Sequence, residues 1–207
     1  PDAGCGVYTE GLPLSLPTDA GQHEMSQDSH MDEIGLLYIA LARLFDKPAE
    51  AVKLADEITS LAESLGVDGF AEFFKEAAAL DLEGHRVEMF ELAPRCPPYG
   101  GYHALGEDNK ERGWYMHQIL TYYRAFGLEV DVKKELPDYL PAMLEFLGAT
   151  RAVDDLGKRT MRRDFYLRFM KPWLDKFSQC LEKAGSPYRH LAKALRQLLE
   201  LDFEAPP

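Results

Sequence analysis

Two carboxylates, Glu135 and Asp138, lie on either side of Pro137 at the entrance to a predicted helix, where they could bind a cationic group. Free N–H groups and the helix dipole stabilise acidic side chains at a helix start by ~0.3–1 kcal/mol, so helix capping alone would explain the pair. Asp138, however, is expected inside the first turn, which leaves its side chain free to point outward. Outward carboxylates pair bidentately with arginine. On spacing alone, capping and arginine recognition both stay open.

Aromatic residues elsewhere in the chain could line a groove for the apolar part of a bound segment. The candidates are Tyr99, Tyr102, Trp114, Tyr115 and Tyr122. The same side chains could equally be ordinary core aromatics, and the sequence does not separate the two roles.

Catalytic and metal-binding patterns are weak. His30 with Glu33 and His85 with Glu88 place an imidazole and a carboxylate on one helical face, but they lack the order and number of ligands of a di-iron bundle. We interpret both as surface hydrogen-bonded or ion pairs. No phosphate-cradling GxxxxGK[ST] or GxGxxG motif and no GxSxG elbow occurs. We therefore predict no enzyme, no metal site and no cofactor of the protein's own.

The three cysteines are Cys5, Cys96 and Cys180, an odd number without CxxC spacing. Neither a secreted disulfide framework nor a metal knuckle is indicated. We expect reduced thiols in a cytoplasmic protein, with no metal at Cys96 or Cys180. A catalytic thiolate at Cys96 would have only Arg95 as a basic neighbour in sequence.

The elements that must position these residues are helices, because apolar residues recur at i, i+3, i+4 and i+7 and no convincing alternating strand pattern appears. We predict an all-α, single-domain bundle of about eight helices. They cover about residues 26–45, 48–65, 68–77, 82–92, 109–126, 137–147, 160–184 and 186–202. The sixth helix could instead begin only at Pro141.

Proline and glycine mark the interruptions. The longest internal loops are expected at residues 94–103 and 127–136, and Pro172 should kink the long helix that contains it. Residues 1–25 are interpreted as an N-terminal arm or loop and residues 26–207 as the helical domain.

The charge distribution is uneven along the 207 residues, whose net charge is −12. Residues 1–150 carry 11 Lys and Arg against 27 Asp and Glu, a net charge of −16, whereas residues 151–207 carry 12 against 8, a net charge of +4. An acidic surface disfavours nucleic acid and anionic membranes and favours encounter with a basic peptide. It also simply keeps a protein soluble. No apolar run reaches a membrane span, and no signal-peptide pattern is present.

Several segments together are similar to one protein family. The helix ending in YYRAFGLE, followed by ELPDYLPAMLEFL, resembles the TorD/DmsD/NarJ type of molybdoenzyme assembly chaperone, which carries a Glu-Pro-Asp-His-like motif between two such helices. Here the motif consists of Glu135, Pro137 and Asp138, with Leu136 inserted and Tyr139 in the histidine position. A tyrosine in this position of the motif is more similar to the nitrate-reductase-delta branch of the family. CPPYGGY at 96–102 resembles the family's Pro-Pro-Tyr-Glu-Ser-x-Tyr segment, with Gly100 and Gly101 replacing Glu-Ser.

Two later helices, at residues 165–177 and 187–202, also resemble the family, and the likeness covers roughly residues 30–202. It implies a cytoplasmic chaperone that binds the N-terminal twin-arginine-like segment of a molybdoenzyme catalytic subunit and holds that subunit until its cofactor is inserted. Under this hypothesis the peptide-binding residues are Glu135, Pro137, Asp138, Tyr139, Tyr122, Trp114, Tyr99 and Tyr102. Transient contact with the partner's molybdenum cofactor, and a monomeric or dimeric state, stay open. The alternatives are a small helical enzyme and a general helical peptide-binding adaptor.

Overall fold

The computed structural model describes residues 7–8, 32–106, 109–132 and 134–204, and helices dominate these ranges. In chain order, helices α1 to α11 are Glu33–Asp46, Pro48–Ala51, Ala55–Ser64, Phe70–Ala77, Leu82–Phe90, Gly100–Leu105, Arg112–Ala125, Leu140–Ala149, Leu156–Phe165, Lys171–Lys183 and Tyr188–Phe203. Two short strands, β1 (Val7–Tyr8) and β2 (Glu129–Val130), pair in antiparallel fashion. The predicted all-α class is confirmed. The helices outnumber the predicted eight because two predicted helices are divided and one predicted loop is partly helical.

Helix α8 lies at the centre of the bundle, and each of its residues from Leu140 to Gly148 is buried. A helix that is apolar on nearly every side is stable only when other helices surround it. α1 packs closely against it, since a Cβ atom at Gly148 would lie 2.9 Å from Ile39 Cδ1 and 3.0 Å from the Gly35 carbonyl oxygen. Glycine at this position therefore permits the close approach of the two central helices.

Two groups of aromatic rings fill the core on different sides of the bundle. Tyr188 contacts rings from α1, α4 and α5, namely Phe45, Phe73 and Phe90. On the other side, rings from α7, α8 and α9 meet, namely Tyr123, Phe146 and Phe165. Phe73 of α4 therefore belongs to the core.

Two predicted helices are interrupted. A 3₁₀ turn at Val52–Leu54 separates α2 from α3, and a π-helical segment, Tyr166–Met170, joins α9 to α10. The ring nitrogen of Pro172 carries no hydrogen, so it cannot donate to the carbonyl one turn earlier. Next to it, the Lys171 N–H donates to the carbonyl of Tyr166, five residues back. The regular helix is thus interrupted next to Pro172 by this wider turn, and the kink itself stays a prediction.

The two predicted loops have different outcomes. The described residues between α7 and α8 are not helical and contain β2, in agreement with the loop predicted at 127–136. The loop predicted at 94–103 is wrong in its second half, because α6 begins at Gly100. α8 begins at Leu140 with Pro141 in its first turn, so Pro137 precedes the helix and does not start it. Of the predicted N-terminal arm, the structure describes only Val7–Tyr8.

The predicted thiol state of two cysteines is wrong. Cys96 and Cys180 form a disulfide, with their Cα atoms 5.8 Å apart although 84 residues separate them in sequence. The prediction weighed metal-ligand spacing along the chain, whereas the segment after α5 brings Cys96 beside α10. Cys5 lies outside the described residues. Because two of the three cysteines are paired, the cysteines no longer support the prediction of a reducing compartment.

In the described part of the chain, no helix combines the length and apolarity needed to cross a membrane. The same residues contain no group of three or more His, Cys, Asp or Glu side chains placed to hold a metal ion. The absence of a metal site stays a prediction for the whole chain.

Candidate functional site

The two motif segments of the sequence lie side by side. The Leu140 N–H donates to the Pro98 carbonyl at 2.8 Å, and the Gly100 N–H donates to the Asp138 carbonyl at 2.8 Å. Between these bonds, Tyr99 and Tyr139 form an isolated antiparallel bridge. We call the paired segments 98–101 and 135–140 the tyrosine junction. Tyr99 and Tyr139, which directly precede α6 and α8, both have an extended backbone, and this conformation allows the two segments to pair.

Asp138 is fully buried at this junction, so the expectation that it points outward is wrong. Its Oδ2 atom accepts a hydrogen bond from the Gly101 N–H at 2.8 Å and lies 3.4 Å from an Arg112 guanidinium nitrogen. Because Asp138 precedes α8 and is not in its first turn, these two donors from α6 and α7 draw it inward. Burial raises the pKa of Asp138, and the charge of Arg112 and the Gly101 N–H oppose that rise.

The tyrosines of the junction connect it to two further carboxylates. The Tyr99 hydroxyl donates to Glu135 Oε1 at 3.0 Å, and the Tyr139 hydroxyl donates to Asp46 Oδ1 at 3.0 Å. The two rings lie 5.4 Å apart, and the Arg112 guanidinium carbon lies 5.7 Å from the centre of the Tyr99 ring. Each aromatic residue thus packs at the junction and also orients an acidic side chain.

A cavity of about 250 Å³ opens beside the junction. It is lined by Asp46, Lys47, Arg86, Phe90, Glu91, Tyr99, Lys134, Glu135 and Tyr139. Arg86 is held by carboxylates, at 2.6 Å from Glu83 and 2.7 Å from Glu91, so its charge is neutralised within the protein.

Asp46 is the carboxylate of this cavity with an unused acceptor. It is buried, its Oδ1 accepts from Tyr139, and its Oδ2 has no hydrogen-bond donor among the described residues. Burial raises the pKa of Asp46, although the Tyr139 hydrogen bond and the nearby cationic side chains oppose the rise. A buried acceptor without a partner costs free energy, which a donor from a bound molecule would recover.

Five of the eight predicted site residues thus meet at the junction. They are Tyr99, Glu135, Pro137, Asp138 and Tyr139. Pro137 contributes through its carbonyl, which accepts from the Tyr123 hydroxyl at 2.9 Å.

The other three predicted residues have other surroundings. Tyr122 packs against α9 and the π-helical segment, where its ring contacts Phe165 and Phe169 and its hydroxyl bonds Asp164. Trp114 is 64% exposed and stacks on His117. Tyr102 is half-buried on α6.

The helical His85 and Glu88 pair is also resolved differently from the prediction. His85 Nε2 lies 2.8 Å from the Ser186 hydroxyl, and Glu88 pairs instead with Arg95 at 3.4 Å. His85 therefore connects α5 to the start of α11. His30 of the other pair lies outside the described residues.

Sequence reasoning missed Asp46 and Arg112, although both carry a readable signal. Asp46 is the last residue of α1, and Arg112 is the first residue of α7. An anion at a helix C-terminus and a cation at an N-terminus both oppose the helix dipole. Such placements indicate that a tertiary contact compensates, as the contacts with Tyr139 and Asp138 do here.

The similarity of this chain to known proteins extends over most of the residues that form the site. The family model described as "Nitrate reductase delta subunit" matches residues 47–179, which include the junction, Cys96 and the lining of the cavity apart from Asp46. A chlorate reductase assembly chaperone protein from Ideonella dechloratans is 25% identical over 174 residues, spanning 79% of this chain and 84% of its own length.

A Bacillus subtilis (strain 168) protein named "Probable nitrate reductase molybdenum cofactor assembly chaperone NarJ" is 30% identical over 131 residues, spanning 62% of this chain and 66% of its own length. The crystal structure of a candidate redox enzyme maturation protein from Archaeoglobus fulgidus superposes with a TM-score of 0.53 at 24% identity, over 86% of this chain and 99% of that one. This structural likeness supports the fold. Both curated relatives are named as chaperones and not as catalysts, in agreement with the non-enzyme prediction.

Proposed function

Because the chain belongs to the nitrate reductase delta subunit family, we propose that it is a dedicated assembly chaperone for the catalytic subunit of a molybdenum-containing oxidoreductase. It acts in the cytoplasm, where it binds the N-terminal twin-arginine-like segment of that subunit and assists cofactor insertion and assembly before export. The molybdenum cofactor belongs to the client, and contact of the chaperone with it is transient. The curated relatives named as chaperones of chlorate and nitrate reductase support the client class.

One observation carries the peptide-binding part of this proposal. The cavity beside the tyrosine junction presents the buried Asp46, whose Oδ2 has no hydrogen-bond donor among the described residues. A guanidinium supplies several N–H donors and a full positive charge, so it would satisfy the open acceptor and stabilise the ionised carboxylate. Tyr99 and Tyr139 on the wall of the cavity provide aromatic faces for the stem of the same arginine.

Glu135 and Asp138 have different roles in this proposal. Glu135 is half-buried at the cavity and orients toward it through Tyr99, so it is a direct contact for a second cationic group. Asp138 is buried and holds α6 and α7 to the junction, so it acts by positioning. The acidic excess of residues 1–150 would speed encounter with a basic segment before these contacts form.

Calorimetric titration tests the proposal with a peptide of the N-terminal segment of a molybdenum-containing oxidoreductase catalytic subunit from the same organism. We expect Asp46→Asn and Glu135→Gln each to weaken binding by about tenfold, the effect of losing one charge-assisted hydrogen bond. Added salt should weaken the association further, since exposed charges are screened beyond ~8–10 Å.

Glu182→Gln is the matched control, because Glu182 is an exposed carboxylate of α10 that does not line the cavity. Its affinity for the peptide should equal that of the wild type. Unchanged affinity in Asp46→Asn, Glu135→Gln and Asp138→Asn, with helicity intact, would place peptide binding elsewhere on the molecule.

A further inference from the structure

A second and larger cavity, of about 500 Å³, lies where the end of α8, the start and face of α9 and the end of α11 meet. Its wall consists of Arg151, Ala152, Val153, Asp154, Arg159, Arg162, Arg163, Asp202 and Phe203. Four arginines thus face two aspartates in a protein whose net charge is −12. This concentration of positive charge is unrelated to the junction and calls for its own account.

Arg162 is a structural member of this wall. Its guanidinium donates to Asp202, Oδ2 at 3.0 Å, to the Leu147 carbonyl at 2.8 Å and to the Thr150 hydroxyl at 2.9 Å. Its side chain is only 5% exposed. Arg162 is therefore occupied in joining α8, α9 and α11.

Asp202 is also fully engaged. Besides Arg162, it accepts from the Tyr38 hydroxyl at 3.0 Å and lies 3.0 Å from Arg151 Nε. This buried carboxylate thus accepts from Arg162 and Tyr38 and forms an ion pair with Arg151, so it is not available to Arg159 or Arg163.

The other three arginines have donors to spare. Arg151 forms ion pairs with Asp32 at 3.3 Å and with Asp202 at 3.0 Å, but its buried Nε–H has no aligned acceptor among the described residues. Arg159 is 60% exposed, and its acidic partner among the described residues is the fully exposed Asp154, at 3.5 Å. Arg163 is exposed and forms no ion pair within 4.0 Å in the described ranges, although its charge lowers the pKa of Glu204. Three guanidinium groups thus border one concave space.

We propose that this cavity binds a small phosphate-bearing anion, most simply a diphosphate group, through Arg151, Arg159 and Arg163. Arg159 and Arg163 are four residues apart on α9, so they lie on one face of the helix about one turn from each other. Arg151 approaches from the segment after α8. The planar fork of each guanidinium matches phosphate oxygens bidentately. The volume fits a small ligand, since such sites are typically ~300–1,000 Å³.

Titration with inorganic pyrophosphate at constant ionic strength, followed by calorimetry, tests this site. We expect saturable binding of one pyrophosphate per chain. Arg159→Gln and Arg163→Gln should each weaken it by about tenfold, because each removes one charge-assisted contact. Both side chains are exposed, so thermal unfolding of the variants should match that of the wild type.

The matched control is Arg196→Gln, an exposed arginine of α11 outside the cavity. It should leave pyrophosphate affinity within about twofold, since a distant surface charge is screened. Absence of saturable binding, or an equal loss in the control, would overturn the site. Citrate competing as well as pyrophosphate would overturn the phosphate assignment. Binding to phosphatidylglycerol vesicles in place of free pyrophosphate would overturn a small-molecule ligand.

Discussion

At the scale of single residues, the candidate site depends on two buried carboxylates that are easily mistaken for one type. Asp138 has donors from Gly101 and Arg112 on one oxygen and acts inside the fold. Asp46 and Asp138 each have one buried oxygen without a donor among the described residues, but Asp46 borders the cavity and Asp138 does not. Asp138 is therefore expected to matter mainly for stability and Asp46 mainly for binding.

Replacing Asp138 should reveal its structural role. Asp138→Ala removes the acceptor of the Gly101 N–H, leaves Arg112 without its carboxylate and opens a void, so it should lower the free energy of unfolding by about 2–4 kcal/mol. Asp138→Asn keeps the shape and can still accept from Gly101. Since burial already favours the neutral form of this group, the asparagine should cost about 1 kcal/mol or less.

Urea unfolding of both variants at pH 7 checks the comparison. A loss in Asp138→Asn as large as in Asp138→Ala would mean that the charge, and not the hydrogen bond and the shape, holds α6 to the junction.

The raised pKa values of Asp46 and Asp138 predict a specific pH dependence of stability. Each folded-state pKa lies above the ordinary value of 3.8, so the folded protein binds more protons than the unfolded chain in the interval between. The contribution of these groups to the free energy of unfolding is therefore largest below pH 3.8 and falls as pH rises through the raised pKa values. Peptide binding at the cavity should oppose that fall.

The measurement is the free energy of unfolding against pH for the wild type and for the Asp46→Asn, Asp138→Asn double variant. The decrease in the free energy of unfolding that Asp46 and Asp138 cause as pH rises should be absent in the variant. Subtracting the two curves cancels Glu76 and Glu204, whose hydrogen bonds lower their pKa values and act in the opposite direction. Asp175→Asn, at an exposed position of α10, should keep the wild-type curve. A double variant with the same slope as the wild type would contradict the raised values.

At the residue scale, Glu135, Pro137 and Asp138 lie together with Tyr99, whereas their assignment to peptide binding stays a prediction. The direction of Asp138 failed because it depends on donors from helices that are distant in sequence. No rule of spacing supplies that information.

At the scale of elements, the junction requires two adjacent glycines at the start of α6. A Cβ atom at Gly101 would lie 2.8 Å from Asp138 Oδ2, and one at Gly100 would lie 2.8 Å from the Trp173 indole nitrogen. The family segment that CPPYGGY resembles has Glu-Ser here, so the departure seen in this chain follows from how closely α6 packs against Asp138 and α10.

Alanine at either position should therefore push α6 away from its neighbours. We expect Gly100→Ala and Gly101→Ala each to lower the free energy of unfolding by about 1–3 kcal/mol, the usual cost of overpacking. Gly113→Ala on α7 is the control, because nothing lies within 4 Å of its added methyl group. That variant should be unchanged or up to about 1 kcal/mol more stable. Equal effects at all three positions in thermal unfolding would exclude close packing as the cause.

Helix positions followed from periodicity and their interruptions did not. The ranges predicted at 137–147 and 186–202 contain α8 and α11, since helical periodicity is a property of each segment alone. The first turn of α6 packs closely against Asp138 and α10, which are distant in sequence, and the 3₁₀ turn at Val52–Leu54 contains no buried residue. Only the interruption next to Pro172 has a local cause, the missing N–H, that can be read from the sequence.

At the scale of the whole molecule, the Cys96–Cys180 disulfide joins the segment before the junction to α10. Closing a loop of 84 residues restricts the unfolded chain, an effect typically of 2–4 kcal/mol. Reduction should therefore lower the free energy of unfolding by about this amount and leave the helical content of the folded protein unchanged.

Denaturant unfolding with and without dithiothreitol measures this effect. A Cys96→Ala, Cys180→Ala double variant is the control, and its unfolding midpoint should not change when reductant is added. The bond would be shown not to form if the wild-type midpoint were also unchanged and mass spectrometry of the alkylated protein found both thiols free.

The Cys96–Cys180 bond also affects what is seen when a protease cuts the backbone. The exposed Leu156 and the turn around it lie between the two bonded cysteines, on the stretch of chain that the disulfide closes. A protease that cuts there would produce two polypeptides that stay covalently attached. On a denaturing gel without reductant the nicked protein would migrate as one band, and it would separate into two only when the sulfurs are reduced. Apparent resistance to digestion under oxidising conditions would therefore be no measure of an intact backbone.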